Sequence, residues 1–378
     1  MPSPIAASLV AIVALLLAAT SPVSAANCFT WGKQCPQSVP YCSSRTQSCS
    51  ASKWDSYTDT GCIAASSYNN ACSKTLPGCK SGRITFPNGS VPPAANFTDS
   101  DKNPFVVDSG TAAAVNGQLV LNIKYDETAG RGLLSRVVST RKFKYGNYTA
   151  RIKISEGKGL VYTWIWKADA NQAEQGDELD WEYVPGYKNN EPESNMFVKG
   201  REDIHAGRYH LLPPGQTMDG WHTYGFVYTE KMVQWTMDGA VVRQESVNAT
   251  NPTPTSDGFL FGSIWDTCKG ALGTQQWAGG PPAWCDSAAS AATRSATWNM
   301  IIDYVDIQCM AGNEDISVAT PVADAVGNAS SIAGTTATPT GAAVAGATGA
   351  AKPNSGHSLT AGLGVVLASS LALLVSLL

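Results

Sequence analysis

Short runs in which every second residue is apolar recur between Arg83 and Met310, and they leave few folds open to the chain. From Gly117 to Tyr125, the residues Leu119, Leu121, Ile123 and Tyr125 fall on one side, the repeat of a strand buried on one face. The rhythm returns in Tyr148 to Ile154, Val161 to Trp166, Thr223 to Tyr228 and Met300 to Ile307. Met232 to Arg243 reads as a hairpin, because Asp238 and Gly239 suit the positive φ angles of a tight turn. Long windows with helical amphipathic period are missing, so the pattern predicts an all-β sandwich of antiparallel sheets rather than an α/β barrel. A stretch of about 230 residues is commonly one domain in folds of this kind.

Outside that stretch the character of the chain changes. Asn27 to Lys80 holds seven of the ten cysteines and few aliphatic residues, which predicts a small module stapled by disulfides. The other three, Cys268, Cys285 and Cys309, prevent complete pairing unless at least one bridge joins the two groups. Trp31, Tyr41, Trp54, Tyr57 and Tyr68 are either surfaces for stacking on sugar rings or the small core that such a module needs.

Upstream, an apolar run from Ile5 to Ala19 closes at Val23, Ser24 and Ala25, the pattern of a secretory signal peptide, with a retained anchor as the alternative. An oxidising compartment then favours disulfides over metal or catalytic thiols, so no metal and no cofactor is expected. Glycosylation sequons at Asn88, Asn96, Asn147, Asn248 and Asn328 fit the same route. Downstream, residues 312–354 are dominated by Ala, Gly, Thr, Ser, Val and Pro without an aromatic residue, and read as a stalk.

The tail from Leu359 to Leu378 is almost wholly apolar and follows small residues at Gly349 to Ala351 and Asn354 to Gly356. That is the pattern of a signal exchanged for a glycosylphosphatidylinositol (GPI) anchor; a tail-anchoring helix is the other reading. The expected order is a signal peptide over 1–25, a Cys-rich module over 26–82 and a main domain over 83–311. A stalk over 312–354 and an anchor signal over 355–378 complete it. A formal net charge of −4 with 26 basic residues offers no positive surface for phosphate, so nucleic acid is not an expected partner. The chain is expected to act as a monomer, secreted and held at the cell surface.

Chemistry concentrates in the segment from Gly176 to Val184. On a strand, Glu178, Asp180 and Glu182 share one face, while Leu179, Trp181 and Tyr183 share the other. Cleavage of a glycoside with retention needs two carboxyl groups about 5–5.5 Å apart, and inversion needs about 6.5–9.5 Å. Residues four apart on a strand have Cα atoms about 13 Å apart, so two glutamates leaning together reach the shorter range and upright ones the longer. Asp180 between them is suited to orient one neighbour by a hydrogen bond, and repulsion within the row keeps a proton on one member. A merely solvated acidic face and a Ca²⁺ site are the competing readings.

The run from Glu178 to Glu182 resembles the E-[ILV]-D-x-E signature of glycoside hydrolase family 16. Further segments resemble, in order, the fungal Congo-red-hypersensitive-type chitin-glucan transglycosylases of that family. These are Ser139 to Arg141, Tyr145 to Lys153, Trp221 to Tyr224, Ser263 to Trp265 and Gly273 to Gly280. Cys35, Cys42, Cys49, Cys62, Cys72 and Cys79 are similar in spacing to a hevein-like chitin-binding module, although the paired Cys-Cys step of that module is absent.

The resemblance implies a concanavalin-like β-jelly roll. It implies Glu178 as nucleophile, Asp180 as its helper, Glu182 as acid/base, and Trp265 and Trp277 as sugar-stacking walls, each also readable as core. His222 reads as a structural strand residue. Where the family has Trp-Pro-Gly-Gly, this chain has Trp265 to Cys268, and Cys285 is the expected partner of Cys268. The expected substrates are chitin or β-glucan. Transfer between glycans, hydrolysis and glycan binding without catalysis all remain open.

Overall fold

The computed structural model describes residues 28, 34–44, 46–72, 75–168, 176–200, 207–246 and 252–310. The expected signal peptide, stalk and anchor signal lie outside the described residues, as do Trp31, Asn248 and Asn328.

Alternating segments become strands. In the Cys-rich module β1 (Tyr41–Ser43) pairs with β2 (Ser48–Ser50). The following segment supplies β3 (Gly82–Ile84), β4 (Phe105–Ser109), β5 (Thr111–Val115), β6 (Gln118–Asp126), β7 (Arg131–Gly132) and β8 (Ser135–Ser139). Next come β9 (Gly146–Ile154), β10 (Leu160–Ala168), β11 (Glu178–Tyr183), β12 (Glu193–Phe197) and β13 (Arg208–Tyr209). Last are β14 (His222–Tyr228), β15 (Met232–Met237), β16 (Ala240–Ser246), β17 (Gly258–Asp266) and β18 (Thr297–Cys309). Two short helices, α1 (Leu272–Trp277) and α2 (Ala291–Arg294), lie between β17 and β18.

One sheet runs in the order β13-β12-β11-β10-β17-β8-β4. The other runs β16-β15-β14-β9-β18-β6-β5, with β3 on β18 and β7 on β6. The ladders are antiparallel, and the expected hairpin turns at Asp238 and Gly239, both at positive φ, between β15 and β16. Between the sheets, Trp164, Trp166, Trp181 and Tyr183 meet Tyr148, Ile152, Phe226 and Trp235 in one buried core. Among its indoles, Trp181 Nε1 donates to the Gly225 carbonyl at 3.1 Å and Trp235 Nε1 to the Asp180 carbonyl at 3.0 Å, while Trp164 Nε1 is buried without a partner among the described residues. The all-β sandwich expected from the sequence is the observed architecture.

Disulfides join Cys28 to Cys42, Cys35 to Cys49 and Cys62 to Cys72 within the module. The bridge demanded between the two groups is Cys79–Cys309, and Cys268 pairs with Cys285. The module also packs on the sandwich. Trp54 and Leu76, with Ala94 and Phe97, cover Val106, Val138, Phe259 and Phe261 on the outer face of the seven-stranded sheet. Trp54 is 4% exposed and is therefore core, not a stacking surface. In β14, His222 is buried with Nδ1 2.7 Å from Asp238 Oδ2 and Nε2 3.1 Å from the Thr217 carbonyl, a structural placement.

Candidate active site

Antiparallel register sets outward-facing side chains level with one another, and β11 lies third in its sheet. Glu182 is level with Glu193 of β12, and with Thr163 of β10, Ser263 of β17 and Arg136 of β8. The next row is Asn195, Asp180, Ile165, Phe261 and Val138. Phe197, Glu178, Lys167 and Phe259 make the third. Leu179, Trp181 and Tyr183 are buried in the core on the opposite face, so the three acids emerge together on the outer one.

The module covers the apolar part of the second and third rows, from Phe261 and Phe259 towards Val138. On the far side of the first row, Trp265 and Trp277 pack half-buried against Val161, Val184 and Ala278. The first row is therefore a mostly polar strip between two apolar borders, with Thr163 and Ser263 hydroxyls 2.6 Å apart in its floor.

The start of β11 is pinned by Asp177, whose carboxylate accepts from the backbone N–H of Lys199, Thr255 and Ser256 and from the Ser256 hydroxyl. Beyond it, the Lys167 ammonium is ion-paired with Glu178 Oε2. Asp180 is 2% exposed and its carboxyl is held well above the usual carboxylate range. Burial is the largest cause, followed by the negative charges of Glu178 and Glu182 and a hydrogen bond with Glu178, while Lys167 pulls the other way. Asp180 Oδ1 is buried without a hydrogen-bond partner among the described residues, an arrangement a neutral acid tolerates better than an anion.

Against the Ca²⁺ reading stands the ion pair itself, because the Lys167 ammonium already occupies Glu178 Oε2.

At the other end of the row, Glu193 Oε2 accepts from Trp277 Nε1 at 2.8 Å. The Tyr209 hydroxyl is raised by burial and then by the charge of Glu193. Behind β12, Ser194 Oγ lies 2.7 Å from His210 Nε2, and burial followed by Arg243 and Arg208 holds His210 down to about 4.

The three sequence-predicted acids thus share one face, and Trp265 and Trp277 border it near Glu182. Sequence reading alone missed Lys167, Glu193 and Arg136. Arg136 is ion-paired with Asp108 at 2.7 Å. For Lys167 a signal existed: Val161, Thr163, Ile165 and Lys167 alternate outward along β10, and the last is charged.

A two-sheet antiparallel sandwich with a strand-borne row of acids on its outer face defines a class, and residues 100–281 match the sequence profile of Glycosyl hydrolases family 16. Over that stretch the chain carries a family 16 domain, and its curated relatives include Crh-like fungal proteins and a bacterial protein, Endo-1,3-1,4-beta-glycanase ExoK of Rhizobium meliloti, 30% identical over 169 residues. Crh-like protein 3 of Aspergillus fumigatus is 32% identical over 143 residues, covering 36% of this chain and 37% of that one. Congo red hypersensitive protein 2 of Saccharomyces cerevisiae is 27% identical over 298 residues, covering 76% of this chain and 60% of that one. The match to Crh-like protein 2 of A. fumigatus takes in 41% of that protein, so the chain spans well under half of several of these relatives. A solved structure described as Crh5 transglycosylase in complex with NAG has 22% identity and a TM-score of 0.49, covering 64% of this chain and 88% of that one.

Proposed function

We propose that this chain is a retaining cell-wall transglycosylase that cleaves a β-linked glycan, chitin or β-glucan, and passes the piece to another glycan. The observation that carries the reading is the unequal sharing of charge in one carboxyl row. Glu178 faces a cation, and its buried neighbour Asp180 favours a proton.

Glu178 attacks the anomeric carbon while Glu182 gives a proton to the departing oxygen, leaving a covalent glycosyl-enzyme. Asp180 donates its hydrogen bond to Glu178 and fixes the carboxylate's orientation. An acceptor hydroxyl then attacks the anomeric carbon, yields its proton to Glu182, and frees Glu178. Trp265 and Trp277 supply apolar faces for sugar rings beside the polar strip. The sequence resemblance to fungal chitin-glucan transglycosylases supports transfer within a wall, and Crh-like fungal proteins are among the chain's relatives. The sequence at both ends supports a secreted chain tethered by a GPI anchor, with the Cys-rich module riding on the main domain.

Chitin oligosaccharides incubated with a labelled β-1,3-glucan acceptor test the reading. Hybrid product is the expected result. Shortened free oligosaccharides without hybrid would make the chain a hydrolase, and neither product would make it a glycan-binding protein.

A further inference from the structure

The structure joins a positive charge to the carboxylate that the proposed mechanism uses as nucleophile. Lys167 and Glu178 are cross-strand neighbours on β10 and β11, and both side chains are largely withdrawn from water, at 17% and 14% exposure. Their row is flanked by a phenylalanine at either side, Phe259 next to Lys167 and Phe197 next to Glu178. Phe259 is itself sealed under the Cys-rich module. Apolar flanks weaken screening, so this pair is stronger than its counterpart on an open surface.

A cation held there acts unequally on the two halves of the reaction. In the free enzyme Glu178 is an anion; in the glycosyl-enzyme it is a neutral ester. We propose that Lys167 is a positioning residue which stabilises Glu178 as a departing carboxylate and so shortens the life of the covalent intermediate. The inference rests on Glu178 being the nucleophile.

In the first step the C1–O bond of the donor breaks as the Glu178 oxygen bonds to C1, and Lys167 loses its ionic partner. In the second, the acceptor oxygen bonds to C1 and the C1–O bond to Glu178 breaks. The electron pair returns to Glu178 beside the waiting ammonium, and the acceptor proton goes to Glu182. Lys167 therefore slows formation of the intermediate and speeds its transfer. An enzyme that must hand a glycan onward is served by an intermediate that discharges readily once an acceptor arrives.

The other groups facing Glu178 do not supply this effect. On β11 Asp180 and Glu182 are acidic, and on β12 the outward residues Phe197, Asn195 and Glu193 bring no positive charge. Phe259, Phe261 and Ser263 on β17 are neutral. Among the described residues of these strands, Lys167 is the cation that faces the row.

The test uses the full chain as wild type, Lys167→Met, Lys167→Gln, Lys167→Arg and Glu178→Gln. Each is mixed with chitin oligosaccharide or β-1,3-gluco-oligosaccharide donor, quenched in acid during turnover, and weighed as intact protein to read the glycosylated fraction. Lys167→Met and Lys167→Gln should raise the glycosylated-to-free ratio about tenfold, the effect of one opposite charge on a carboxylate's equilibrium. Lys167→Arg should restore the wild-type ratio. An unchanged ratio in either folded neutral variant overturns the proposal, as does an arginine variant that behaves like methionine. Labelling or turnover in Glu178→Gln instead overturns the assignment of the nucleophile, and absence of any product or label in wild type overturns the proposed function with it.

Discussion

The two ends of the carboxyl row differ in what surrounds them. Glu178 sits between phenylalanines and an ammonium, in a dry setting closed on one side by the Cys-rich module. Glu182 lies level with hydroxyls and a second glutamate, beside two half-buried tryptophans. One end pairs a carboxylate with a cation between apolar walls, and the other offers polar neighbours beside aromatic faces. In the proposed roles, two acids four positions apart on one strand offer a single bond two chemically distinct compartments.

Breaking either end should be severe. Glu178→Gln should lower turnover by at least about 10³-fold, and Glu182→Gln by about 10²- to 10⁴-fold, as for loss of a general acid. The thermal midpoint of Glu182→Gln should stay within about 2 °C of wild type, whereas Glu178→Gln strands the largely buried Lys167 ammonium and should lower it by more. Steady-state assays of chain transfer beside melting curves check both statements.

Asp180 divides the two ends, and its removal sharpens the contrast. Asp180→Asn keeps the shape but cannot hold a proton between the charges, so turnover should fall about 10- to 100-fold. Stability should move with pH. A carboxyl raised in the folded state stabilises the fold below the unfolded value near 4 and gives up that contribution as pH climbs towards the folded value. The variant should therefore match wild type near pH 4 and become relatively more stable above it, as read from melting curves at stepped pH.

Trp265→Ala tests the Glu182 end alone. Loss of one aromatic contact should raise KM about 3- to 10-fold with little change in kcat, which glycan titrations will show. Trp277→Phe should weaken binding less, since it keeps a ring while losing the hydrogen bond to Glu193.

The smallest effect is expected behind the site, at His210, and its sign opposes that of Asp180. The folded state keeps His210 neutral down to about 4, whereas the unfolded chain takes up the proton near 6.5. Stability is then lost as pH falls through that interval. His210→Gln should flatten the decline, by about 2–4 °C at pH 4.5.

What the sequence made legible follows from period. Alternation gave β11 its two faces because side chains on a strand obey a fixed rule of two, and Leu179, Trp181 and Tyr183 are large enough to show which side is buried. The cysteine count alone required the link that Cys79 and Cys309 form. Lys167 was not legible as a partner of Glu178, because their meeting depends on the register between two strands joined through residues that carry no such rule. Trp54 was undecidable for a different reason. Tryptophan suits both a sugar platform and a small core, and only its burial against Phe97, in the cluster that holds the phenylalanines of β17, decides between them.

The bridge from Cys79 to Cys309 closes a ring over a sequence separation of 230 residues, with every strand of the seven-stranded sheet inside it. A single cut by a protease in any loop of that ring opens the circle without releasing a fragment. In the secreted setting proposed for the chain, where digestion is a constant hazard, a nicked molecule would stay in one piece until a reductant arrived.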